Sequence, residues 1–205
     1  MAPPRRERQV NGEPARVRRR RAAVARRLLP VSPALAARLD WAALESAPSW
    51  LALPDAELNC LALQIGALRN APLLRMWIDA RRLVTASNAV GSGFLQAVLA
   101  QPEAQLPLAP DLMQGPAIGT ADQVVPALRA TGLAVLLASL PPGSLREATA
   151  ASWAPAEAAT MSDAIARMLI ARVESLAPKA QMQATRKDSP PADAAEQRTG
   201  RGEQA

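Results

Sequence analysis

The chain has 205 residues, with 24 Lys and Arg against 18 Asp and Glu, a net charge of +6, one cysteine and no histidine. A single cysteine excludes an intramolecular disulfide, and the lack of histidine removes the usual zinc sites, Ser-His-Asp triads and Cys-His dyads. Apolar residues reach 49% and aromatics only 2%; an apolar fraction built on alanine and leucine, with few β-branched runs, predicts an all-α protein.

Residues 1–27 carry ten arginines against Glu7 and Glu13, a local balance of +8, so the remainder of a +6 chain is close to neutral. Pro3, Pro4, Gly12 and Pro14 favour a disordered basic arm over 1–30, although Ala15–Leu29 is compatible with a helix. The arm lacks the apolar core and small-residue cleavage site of a secretory signal. Its charge predicts a weak polyanion contact, with nucleic acid or anionic lipid, but no aromatic side chain is interleaved to stack on bases.

After Pro30, Ser32 and Pro33 open a predicted helix to about Ser46, with Leu35, Leu39, Ala42 and Ala43 on one side and Trp41 and Leu44 flanking. Trp50 and Leu51 read as lids over a core. Pro54 suits the first position of the next helix, where Leu58, Leu61, Ile65 and Leu68 form one stripe. Gly66 interrupts that stripe at a cost of about 1 kcal/mol, which a close helix–helix approach would offset. Cys60, on its flank, reads as a small buried group.

Asn70 and Pro72 predict a further helix through about residue 86. At about 100° per residue, the apolar residues of 73–84 cover most of its circumference. Arg75, Asp79 and Arg82 occupy one polar wedge, and Arg81 emerges within the apolar arc. Arg75, Trp77, Asp79, Arg81 and Arg82 are therefore the candidate partner-docking residues, on the argument that a compact charged strip beside an aromatic anchor suits an interface. A loop over 87–93 and a short apolar helix containing Phe94, Leu95, Val98 and Leu99 follow.

Residues 101–119 hold four prolines and two glycines and predict a long connection between halves 31–100 and 120–177. Thr120 and Gln123 match a capping box for a helix through about Ala130, adjusted at Pro126 and interrupted at Gly132. Gly132–Leu140 is the most apolar stretch and reads as core. No apolar run approaches the ~20 residues that span a bilayer, so no transmembrane segment is expected. Ser144 and Glu147 match a second capping box, for a helix to about Ser152. Residues 156–176 carry the stripe Met161, Ile165, Met168, Leu169, Val173 and Leu176, with Arg167 and Arg172 outside it. Residues 178–205 lack periodicity and read as a disordered tail. The expected architecture is thus one multi-helix domain over 31–177 with disordered ends.

No paired-carboxylate motif, glycine-rich phosphate loop or P-loop occurs, which argues against an enzyme and predicts no cofactor. Within 49–99, the run Ser49-Trp50-Leu51, Ile65-Gly66-Ala67-Leu68 and Leu74-Arg75-Met76-Trp77-Ile78-Asp79-Ala80 resembles the K subunits (SctK, or YscK-type) of bacterial type III secretion sorting platforms. Ala80 stands where the family pattern has glycine, and Ile65 where it has leucine. The resemblance implies a non-catalytic, cytoplasmic helical adaptor, peripheral to the inner membrane. Its implied partners are an SctD-like ring protein and an SctQ-like pod protein of the protein-transport apparatus. The competing reading is a helical nucleic-acid-associated protein that binds through the arginine arm. A secretion chaperone would require a strand-built surface that the pattern does not provide.

Overall fold

In a computed structural model of the chain, residues 12–30, 37, 39, 41–102, 118–153 and 161–187 are described. They form α1 (Gly12–Leu28), α2 (Trp41–Glu45), a 3-10 turn η1 (Ser49–Ala52), α3 (Asp55–Arg69), α4 (Ala71–Met76), α5 (Ala80–Val90), α6 (Ser92–Leu99), α7 (Ala121–Ala138), α8 (Ser144–Trp153) and α9 (Asp163–Lys187). No strand occurs among the described residues. The protein is all-α, as composition and periodicity require.

The most extensive helix contact is α3 against α7, and two glycines make it possible. A Cβ on Gly66 would lie 1.9 Å from the Leu128 carbonyl oxygen, and one on Gly132 would lie 1.8 Å from the Ala62 carbonyl oxygen. Ala62 and Gly66 are spaced i,i+4 on α3, as are Leu128 and Gly132 on α7. Each helix therefore offers a glycine to the other's backbone. Gly132 does not interrupt α7 as expected, because it sits at this crossing. Pro126 does not end the helix either: the carbonyl it leaves without an N–H partner belongs to exposed Asp122, which water can reach. Gln123 accepts from the Thr120 N–H at 3.2 Å and the Gly119 N–H at 2.9 Å, completing the expected capping box.

Continuous through both residues, α7 has a mean hydropathy of 1.3 over its 18 residues and meets the length and composition of a bilayer-crossing helix, with 56% of it buried inside the fold. That differs from the expectation that no such run exists. Length and composition do not distinguish a spanning helix from the central helix of a folded domain. The Leu133–Leu140 stretch is core, as expected.

Around the α3–α7 pair lie α5, α6 and α9. On α3, Leu58, Ile65 and Leu68 are buried, Leu61 is half-buried and Cys60 is exposed, not buried as expected. On α9, Ala166, Leu169, Ile170, Val173 and Leu176 face inward, while Met168 of the expected stripe is exposed. The helix continues through Pro178 to Lys187, past the expected end at 177. The carbonyl that Pro178 frees is that of exposed Glu174, again open to water.

A second group, α1, α2, η1 and α8, packs together at one side. Trp50 and Leu51 are buried as expected, and the Trp50 and Trp153 rings lie 6.0 Å apart. The N-terminal boundary, however, extends beyond residue 31. In α1, Val24 and Leu28 belong to the core cluster. Arg27 donates to the Leu51 carbonyl at 2.8 Å, the Leu53 carbonyl at 2.5 Å and the Asp55 carboxylate at 2.6 Å. Arg20 donates to the Glu45 carbonyl and Arg21 pairs with the Glu45 carboxylate. A run read as solvated charge is partly a set of latches. The disorder expected for 1–11 and 188–205, the helix start at Ser32–Pro33 with Leu35, and most of the 101–119 connection lie outside the described residues.

Candidate partner-docking site

The expected single helix over 72–86 is two helices. Asn70 stands at the N-cap position of the first of them but makes no side-chain capping bond; its side-chain amide donates back to the Gly66 carbonyl at 2.8 Å, so α4 follows α3 almost directly. Helix α4 stops at Met76, Trp77 and Asp79 are extended, and α5 begins at Ala80. Asp79 is the N-cap: its carboxylate accepts from the Arg81 N–H at 2.9 Å and from Arg82 Nε at 3.0 Å. The Arg81 N–H bond, and then the Arg82 guanidinium, hold the Asp79 carboxyl below the usual aspartate range. A strong capping residue inside an apolar run thus divides the run into two.

This break separates the five candidate residues. Arg75 turns inward, and its guanidinium donates to the carbonyls of Leu99 at 3.2 Å, Val98 at 3.5 Å and Gln101. A cation there satisfies the carbonyls that the end of α6 leaves open. Trp77 is only 9% exposed, and the Arg82 guanidinium carbon lies 5.7 Å from its ring centroid. Arg82 also donates to the Ile118 carbonyl at 3.1 Å, bridging the chain on either side of the 101–119 connection. Trp77, Asp79 and Arg82 are therefore brought together as an internal brace, with Arg75 as a separate one. The single wedge drawn on one helical wheel does not exist. Of the five, Arg81 alone is exposed.

The break also exposes what the wheel assigned to the apolar arc. Ile78 is 98% exposed, Met76 61% and Val84 57%. Ile78 directly precedes the N-cap, a position from which an apolar residue commonly packs back on the fourth helical residue, here Leu83. Its full exposure means that this staple is open. On α5, Ala80, Arg81, Val84 and Asn88 are all exposed and fall within one arc of about 100°. An apolar residue fully in water beside an arginine-bearing helix face is a surface feature that the helical wheel does not place. The available signal is Asp79, a residue type that favours the N-cap, which the wheel places in the polar wedge.

Among the described residues, no group of three His, Cys, Asp or Glu side chains could hold a metal ion. In comparisons with protein-family models, with curated proteins and with solved structures, the chain matches none of them.

Proposed function

We propose that this protein is a non-catalytic helical adaptor of a type III secretion sorting platform, joining an SctD-like ring protein to an SctQ-like pod protein at the cytoplasmic side of the inner membrane. The observation that supports this reading is the solvent-exposed Ile78 at the α4–α5 break, with Met76, Arg81 and Val84, inside the stretch that resembles the K subunits. Burying one such side chain in a partner contributes about 1.5–3 kcal/mol. A few anchors of this kind, held on braced helices, carry the recognition energy of an adaptor. Arg75 and Arg82 hold the break in shape, so their role in docking is indirect.

Size-exclusion chromatography of the full chain with a purified SctQ-like pod protein, and separately with the cytoplasmic domain of an SctD-like ring protein, tests the assignment. Co-elution with both is expected. Independent elution from each would remove the basis for an adaptor.

A further inference from the structure

The long helix α9 keeps one face in water. Ala164, Met168, Ala171 and Ser175 are all exposed, Met168 at 49%. They recur at i, i+4, i+7 and i+11, so at about 100° per residue they fall within one arc of about 60°. The buried Ala166, Leu169, Val173 and Leu176 lie on the other side of the helix. Alternating steps of four and three are the seam spacing of two helices packed along their length. Arg167 and Glu174, one heptad apart and both exposed, flank the seam on the same side. Arg167 pairs with Asp163 on its own helix, an exposed contact that leaves most of the five guanidinium donors unused. Arg167, Ala171 and Glu174 share a groove of about 470 Å³ with Pro48, Trp50 and Pro141, so the charged flank borders space that the domain leaves unfilled.

We propose that this face of α9 docks on the same face of a second copy of the chain, antiparallel about a two-fold axis. A two-fold contact requires a surface that complements itself: if residue i meets j, then j meets i. The α9 face meets that requirement with its own residues. With the axis between residues 169 and 170, Met168 packs on the second copy's Ala171, and Ala164 on its Ser175. The flanking positions then bring Arg167 to the second copy's Glu174, and Glu174 to its Arg167, so each charge meets its opposite. A parallel pair would instead set Arg167 against Arg172, like charge against like. Alanine at two seam positions lets the helices approach, and the unbranched Met168 fills the gap beside them. The seam is far smaller than a standard interface of about 20–30 residues a side, so the dimer is weak, with a Kd of about 10–100 µM. The proposal goes beyond the adaptor reading and uses none of the residues at the α4–α5 break.

The test is analytical ultracentrifugation of the full chain from about 1 to about 500 µM, a range that brackets that Kd. The weight-average mass should rise from 21.6 kDa toward twice that value. Arg167→Glu alone and Glu174→Arg alone each set like charges together at two places, and each should weaken association about tenfold or more. Both side chains are exposed, so helix content by circular dichroism should not change. An equimolar mixture of the two variants should associate again, because each chain then meets the opposite charge on the other. Arg167→Glu/Glu174→Arg in one chain should restore association for the same reason. A wild type that stays monomeric throughout would overturn the proposal and leave the face to a different partner. Single variants that associate as the wild type does would place the contact elsewhere and overturn it too. A mixture no tighter than its components would rule out the antiparallel pairing.

Discussion

Arg27 and Arg26 are neighbours in sequence with opposite roles. Arg27 satisfies two carbonyls and a carboxylate across the α1–α3 junction, and hydrogen bonds to a charged donor contribute about 1.5–3 kcal/mol each before entropy is counted. Arg27→Ala should therefore destabilise the protein by about 2–3 kcal/mol in urea unfolding, leaving the Leu51 and Leu53 carbonyls short of a donor. Arg26→Ala, at an exposed position of α1, should change stability by less than about 0.5 kcal/mol. Equal effects would mean that α1 is not latched. The sequence could not separate the two, because a run of arginines carries no sign of which guanidinium will meet a carbonyl. Val17, Val24 and Leu28 do lie on one side of α1 at i, i+7 and i+11, with Val24 and Leu28 buried, but the surrounding arginines outweigh so short a stripe in the pattern.

At the scale of elements, the α3–α7 crossing and the α4–α5 break each give a measurable consequence. Gly66→Ala should raise helix propensity by about 1 kcal/mol, yet its Cβ would strike the Leu128 backbone, which cannot move like a side-chain tip. Overpacking of this kind costs about 1–3 kcal/mol or more, so the net change should be destabilising, with Gly132→Ala behaving alike. A stabilised Gly66→Ala would refute the close crossing. The close approach at Gly66 was legible from its place in the stripe, whereas Gly132 was misread as a stop because no partner helix was in view.

The break has a pH signature. The Asp79 carboxyl is held below the ordinary aspartate value by bonds present only in the folded state, and Asp122 is held down likewise, chiefly by the Thr120 hydroxyl. Both therefore stabilise α5 and α7 at pH above about 3.9, the unfolded value. That contribution is lost as pH falls through the lower folded pKa. A carboxyl-resolved NMR titration should place both midpoints below 3.9, the ordinary aspartate value. A midpoint for Asp79 at or above it would mean that the cap is not formed. Gly91, at φ 89°, permits the turn from α5 to α6 in one residue where a longer loop over 87–93 was expected. A turn set by one backbone angle leaves little trace in the pattern around it.

For the whole molecule, helix content and most of the buried stripe were legible because the apolar period of 3.6 is local. The exposed apolar residues at the break were not, since exposure at Ile78 depends on where a helix ends and what packs behind it. Arg75 and Arg82 look like surface charge on a wheel, yet they meet carbonyls at residues 98–101 and 118, far away in sequence. The adaptor reading therefore rests on the residues the break leaves in water. Isothermal titration of an SctQ-like pod protein and an SctD-like cytoplasmic domain into the wild type and into Ile78→Asp/Arg81→Glu tests it most directly. The account predicts unchanged thermal unfolding for the double variant, since neither side chain is buried, with affinity for at least one partner reduced tenfold or more, the equivalent of about 1.4 kcal/mol. A stably folded variant that binds both partners as tightly as the wild type would contradict it.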